Sequence, residues 1–307
     1  LTQRHLDKNR PNPVTTAGHA DFVQTIDGNW QAVFLACRPY EANYFNTGRE
    51  TFMLPVTWKD GWPHILEGDE TIQFKNPVPL PAITKRVNNL FSGNFVYKDG
   101  FKNKELDHRW IFLRAPLKNW YNLASKKGYL SVRLRPETVA ERQNPSFVGH
   151  RQQHLKGQAI TSLSFTATIE NEKAGLIIFQ NEQHHYFICQ SSKNNEQVIE
   201  LFKGPGNANA GKEVELLASQ SLKGKKKSIQ LKINFDNADY AFWYSTGGNN
   251  WTLLKDKVDG RFLSTATAGG IVGNVFGLYA TSTGKESNNT AYFDWFEYKG
   301  EDDVYKQ

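Results

Sequence analysis

The sequence is poor in sulphur, in long apolar runs and in concentrated charge. Its 307 residues hold two cysteines, Cys37 and Cys189, which excludes a disulfide-built scaffold and a Cys-rich zinc module. Each lies inside an apolar strand-like run, so both read as buried free thiols. No stretch approaches the ~20 consecutive apolar residues that a membrane-crossing helix needs. No segment keeps a helical period, and no repeat of propeller-blade length recurs after the first sixty residues. The net charge is +6 with the basic residues dispersed. The one dense cluster, Lys223-Gly-Lys-Lys-Lys227, carries no interleaved aromatics and reads as a solvated hairpin turn. Neither nucleic acid nor membrane is an expected partner. No signal peptide or targeting tail is visible, which leaves periplasmic, secreted and cytoplasmic locations all open. Met53 is the only methionine, so a translated start is expected upstream of Leu1, or removed.

What the chain does have is β-pattern and aromatic side chains, the latter 13% of all residues. Residues 18–62 read as a four-stranded meander, with runs at 19–24, 30–35 and 52–58 and a last strand at Trp62. Asp27-Gly28 between alternating apolar runs is a strong hairpin signal. Such a small sheet has two open edges and is marginal alone, so other structure must cover it. Residues 67–90, with Pro77, Pro79 and Pro81, read as a linker that wraps. Beyond it come strand-like runs at 110–113, 129–134, 159–169, 174–180, 186–191, 197–202, 214–219, 228–235, 240–245, 275–279 and 291–298. Short alternating runs with polar turns argue for a β-sandwich of about 200 residues. The expected division is a blade with its lead-in at 1–66, a linker at 67–90, a sandwich at 91–300 and a tail at 301–307.

Several motifs carry a resemblance. Gly18-His-Ala-Asp21, the Arg38-Pro-Tyr40 turn, Gly48-Arg-Glu-Thr51 and Pro55-Val-Thr-Trp-Lys-Asp-Gly-Trp-Pro63 resemble the final blade of a family 43 glycoside hydrolase. The type is the β-xylosidase/α-L-arabinofuranosidase. The likeness continues through residues 110–113, Trp120-Tyr121 and, above all, Gln143-Asn-Pro-Ser-Phe-Val-Gly-His-Arg-Gln-Gln-His154. That last run is similar to the concanavalin-A-like sandwich that follows the propeller in those enzymes. The resemblance implies an all-β fold, one blade of a five-bladed β-propeller followed by a sandwich of the jelly-roll type. It also implies an inverting exo-glycosidase of plant hemicellulose, one carboxyl protonating the leaving oxygen while another activates water. In the family those carboxylates come from earlier blades, so no catalytic residue is assigned here and the chain alone is expected to be inactive. The implied partners are a xylo-oligosaccharide or arabinosyl substrate and the missing blades, in cis or on a separate chain. A sandwich edge or a loop could also serve a homo-oligomer.

The resemblance implies support of the sugar site by His19, which would also be the ligand of a central calcium if one is bound; no cofactor is otherwise required. His19 and Asp21 are two apart, which on a regular strand places them on one face. Arg49 follows Gly48 at the start of a strand and offers a rigid fork of donors; by resemblance it reaches the bound glycone. The competing reading is a surface arginine paired with Glu50. The resemblance also implies a sandwich loop that closes the rim of the site, and residues 269–273, Gly-Gly-Ile-Val-Gly, are the candidate lid, with Ile271 or Val272 as its apolar contact; the competing reading is a plain hairpin turn. His184 and His185 are adjacent and face opposite ways, which gives no zinc site. Gln152, Gln153 and His154 read as inter-sheet or inter-domain hydrogen-bonding groups. The alternative function is a non-catalytic carbohydrate-binding or structural sandwich, with exposed aromatics stacking on sugars.

Overall fold

The computed structural model describes residues 13–77, 91–211, 213–224, 227–248 and 250–306. Most of the expected lead-in (1–12) and the second half of the expected linker (78–90) lie outside the described residues.

The first sheet is β1 (Thr15–Gln24), β2 (Trp30–Cys37), β3 (Glu50–Lys59) and β4 (Trp62–His64), antiparallel in that order. Its turns follow from local chemistry. Asp60 and Gly61 both have positive φ, 49° and 79°, the geometry of a tight two-residue hairpin loop. At the first turn, Thr25 N donates to Asn29 O at 2.7 Å and Asn29 Nδ2 donates to Asp27 Oδ2 at 2.9 Å. Along β2 the alternate residues Ala32, Phe34 and Ala36 face one side and are buried, as a period of two requires. That face is not left bare. The chain after β4 folds back, and Ile65, Leu66, Ile72 and Phe74 pack on it. At its outer end Phe22, Trp30 and Trp58 make edge-to-face contacts at 5.9 and 5.5 Å, and Phe22 and Trp58 stay largely exposed.

From Val96 onward the chain forms β5 (Val96–Asp99), β6 (Ile111–Phe112), β7 (Tyr121–Asn122), β8 (Leu130–Arg133), β9 (Ser146–Arg151), β10 (Lys156–Ser164) and β11 (Lys173–Asn181). It continues through β12 (His184–Lys193), β13 (Glu196–Lys203), β14 (Glu215–Ser221), β15 (Ile229–Asp236), β16 (Asp239–Ser245), β17 (Thr252–Asp259), β18 (Val275–Thr281) and β19 (Thr290–Gly300). These make two packed sheets. One has eight strands in the order β17-β16-β15-β10-β19-β8-β7 with β5 also on β19; the other has seven, β14-β13-β12-β11-β18-β9-β6. The β15 sequence Ile-Gln-Leu-Lys-Ile-Asn-Phe shows why they pack: Ile229, Leu231, Ile233 and Phe235 are buried and the residues between them are not. Strands β11 and β12 are buried on both faces, with Ile177, Phe179, Phe187, Phe147 and Tyr279 in a second cluster outside the main core. Cys37 and Cys189 are buried free thiols.

One connection differs from the sequence reading. The Lys223–Lys227 cluster joins β14 to β15, which lie in different sheets. It is a crossover, not a hairpin turn; Lys225 and Lys226 are outside the described residues. The all-β class, blade plus sandwich, is as expected.

Candidate functional site

The blade meets the sandwich through the loop between β2 and β3. Asn46, buried, donates from Nδ2 to Tyr240 Oη and to the Gly260 carbonyl, both at 3.1 Å. The Tyr240 hydroxyl donates to Gln152 Oε1 at 3.1 Å, and that oxygen also accepts from Asn274 Nδ2 at 3.2 Å. Burial pushes the Tyr240 phenol up to about 12, so it stays a neutral donor. Ser264 Oγ accepts from Phe45 N and donates to Phe45 O, both at 3.0 Å. Polar networks of this kind fix one relative placement, because breaking a buried hydrogen bond is costly.

The same contacts set the candidate lid. Residues 269–273 follow a single helical turn, Thr265–Ala268, capped by Ser264. They lead from β17 in one sheet to β18 in the other, so they are not a hairpin turn. Gln180 Nε2 donates to Gly269 O at 3.0 Å and Asn274 N donates to Asn46 O at 2.9 Å. Between these anchors Gly273 lies backbone to backbone on Thr47 and Gly48. A Cβ at Gly273 would sit 2.3 Å from Thr47 O, and one at Gly48 would sit 2.4 Å from Gly273 N. Gly48 also has φ 74°, which a side chain resists.

Arg49 projects from this junction. It is exposed and makes no hydrogen bond or ion pair among the described residues. The pairing with Glu50 does not form; both Glu50 oxygens accept from Arg38 Nε, at 2.9 and 3.0 Å. Arg49 lines a cavity of about 640 Å³ together with Ile271 and Val272, Thr51, and Arg151 and Gln153 at the end of β9. Ile271 is 62% and Val272 48% exposed, so both present apolar surface to solvent. Three of the four residues expected at the site therefore share one cavity.

His19 stands apart. Its strand carries a bulge between Gly18 and Asp21, and His19 has φ 55°, so simple alternation does not hold and cannot align His19 with Asp21. Register runs from Gly18 to Leu35 to Thr51, which puts His19 two strands from the Arg49 end of β3. His19 does not line the cavity. Among the described residues no group of three His, Cys, Asp or Glu converges as a metal-binding set.

The sandwich histidines are structural. His154 Nε2 faces the Gly93 carbonyl at 2.9 Å and Nδ1 faces Tyr298 Oη at 2.9 Å. A carbonyl only accepts, so the proton is on Nε2 and Tyr298 donates to Nδ1. Burial lowers the His154 pKa, and lowers that of His150 to about 4. Gln152 is buried in the network above, while the Gln153 side chain is exposed on the cavity wall. Sequence reasoning missed Arg38 and Arg151. Arg38-Pro directly after an apolar strand was the available signal for the first; the second was hidden inside a motif read as structural.

A four-stranded blade is locked to a two-sheet sandwich, and an arginine with no partner among the described residues shares one cavity with an apolar loop; the class is an all-β blade-and-sandwich protein. Residues 98–299 match the β-xylosidase C-terminal concanavalin A-like domain, and residues 1–63 match the glycosyl hydrolases family 43. The chain belongs to this glycoside hydrolase family. It is 32% identical over 298 residues to a xylosidase/arabinosidase of Butyrivibrio fibrisolvens, covering 96% of this chain and 54% of that protein. It is 29% identical over 292 residues to a non-reducing-end α-L-arabinofuranosidase of Bacteroides ovatus, covering 94% and 52%. Among solved structures, a family 43 protein from Bacillus licheniformis superposes with a TM-score of 0.84 at 26% identity, covering 98% of this chain and 56% of that one. The chain thus spans about half the length of the curated relatives it matches.

Proposed function

We propose that this chain works as the C-terminal portion of an inverting exo-glycosidase that removes xylosyl or arabinosyl units from hemicellulose. In this reading Arg49 holds the glycone hydroxyls, Ile271 and Val272 close the rim over it, and His19 supports the site from the innermost strand. The general acid and base lie on upstream blades, in cis or on a separate chain. The supporting observation is that Arg49, without a hydrogen bond or ion pair among the described residues, lines one cavity with the candidate lid residues of the sandwich. A guanidinium whose five donors have no partner among the described residues suits a polyol whose hydroxyls accept in a fixed plane. The lid supplies apolar surface against a sugar face and excludes water from the reacting centre.

The test is turnover of aryl β-xylosides and aryl α-L-arabinofuranosides by the chain alone and by the chain joined to the upstream blades of its reading frame. The chain alone is expected to be inactive and the joined protein active. Turnover by the isolated chain would overturn the assignment of the carboxylates to upstream sequence.

A further inference from the structure

The residues on either side of Arg49 are held by a buried cation whose second counter-charge comes from the far end of the chain. Arg38, only 2% exposed, follows directly on β2. Its Nε donates to Glu50 Oε1 and Oε2 at 2.9 and 3.0 Å, its Nη1 donates to Asp302 Oδ2 at 3.0 Å, and its Nη2 points at the Gln153 carbonyl at 3.5 Å. The Phe74 ring lies 5.3 Å from the guanidinium. Burial works against the charge, but the acidic groups around it, Glu50 foremost and Asp302 among them, together offset it and raise the pKa of Arg38. Glu50 Oε1 also accepts from Thr47 Oγ1 at 2.8 Å, so one carboxylate fixes both neighbours of the Gly48-Arg49 dipeptide.

Asp302 is 4% exposed and uses both oxygens. Oδ2 takes Arg38, while Oδ1 accepts from Leu155 N and Lys156 N at 2.8 and 2.9 Å. The stretch beyond Gly300, read from sequence as a tail, is therefore docked at the blade–sandwich junction. Tyr305 also lines the cavity.

We propose that Asp302 is a positioning residue for Arg49, acting through Arg38 and Glu50, so that the C-terminal segment sets the aim of the sugar-binding arginine. This rests on the reading of Arg49 as a substrate contact. The chemistry is one of acceptor count. Asp302 must accept on both oxygens at once, and an asparagine offers one acceptor and one donor group. Asp302→Asn therefore loses either the two backbone amides or Arg38. With Arg38 released from that side, Glu50 and the Thr47–Glu50 turn are no longer held in one place, because a buried charged network tolerates no missing partner.

The experiment is a double-mutant cycle in the protein joined to its upstream blades. Asp302→Asn is expected to lower kcat/KM for an aryl glycoside about 10-fold or more in the wild-type background, and by less than 2-fold in an Arg49→Ala background. Equal losses in both backgrounds would mean a merely structural role and overturn the inference. If Arg49→Ala itself leaves kcat/KM unchanged, the functional reading fails and the inference with it. Should Asp302→Asn not fold, Asp302→Glu keeps the charge at a longer reach. It is expected to show the same background dependence at smaller amplitude, with faster amide exchange at residues 47–51; background-independent loss or unchanged exchange would refute the proposal.

Discussion

The tie between lid and blade can be tested at Gly273. Replacing it with alanine would place Cβ 2.3 Å from Thr47 O, 2.4 Å from Thr47 C and 2.8 Å from Gly48 N, where real Cβ contacts stay beyond 3.0 Å. The gap must open by at least 0.7 Å, the difference of those two distances. Nothing there can swing aside, because every atom met is backbone. That backbone is pinned by Asn274 N donating to Asn46 O at 2.9 Å and by the Asn46 side chain on Tyr240. Forced overpacking of this kind costs about 1–3 kcal/mol, which for a protein of this size lowers Tm by roughly 2–5 °C. Calorimetry or circular dichroism on the chain reads this directly. Gly247→Ala is the control, since a Cβ there meets nothing within 4 Å and φ is not positive; it should shift Tm by no more than about 1 °C. If Gly273→Ala melts with the control, the lid does not rest on the blade, and the argument that it shares a site with Arg49 fails.

Stability should fall on acidification because of His150 and His185, whose pKa burial holds at about 4 against an ordinary 6.5. Both are neutral in the fold, so the unfolded chain binds the extra protons. Stability is full above about pH 6.5 and declines toward pH 4, by up to about 3 kcal/mol for each histidine. Urea unfolding at pH 7 and pH 4.5 reads this, and His150→Phe, which keeps a ring against Tyr97 at 4.8 Å, should flatten the dependence; an unchanged slope contradicts the assignment. Tyr240→Phe should cost only about 1 kcal/mol. Asn46 keeps Gly260 O and Gln152 keeps Asn274 when the hydroxyl goes. A loss above about 3 kcal/mol by denaturant titration would show that the hydroxyl carries more of the junction than these contacts allow.

Local chemistry made the blade legible. Asp-Gly turns and alternation decide hairpins within a few residues, and Arg49 stands out because a glycine precedes it at a strand start. The sandwich strands of simple alternation, such as β15, read equally well. Strand β17 did not, since its partner β16 meets it through register shifts at Tyr240–Phe242 and Phe242–Trp243, and a bulge erases the period of two. The crossovers between sheets were hidden for a similar reason: a polar turn between strands looks alike whether the next strand pairs locally or across the sandwich. The same-face relation of His19 and Asp21 was not legible, because their strand is bulged where the pattern looked regular. Arg38 and Asp302 lie 264 residues apart, and no local pattern signals a contact that only the docking of two domains creates.

The central claim is that Arg49 holds the sugar, and the direct measurement is kcat/KM of Arg49→Ala in the protein joined to its upstream blades. Loss of one preorganised charged donor set at a reacting site is worth about 2.7–4 kcal/mol. The expected fall is therefore about 10²–10³-fold, with Tm unchanged because Arg49 is exposed and makes no hydrogen bond or ion pair among the described residues. A variant within threefold of the parent enzyme would contradict it.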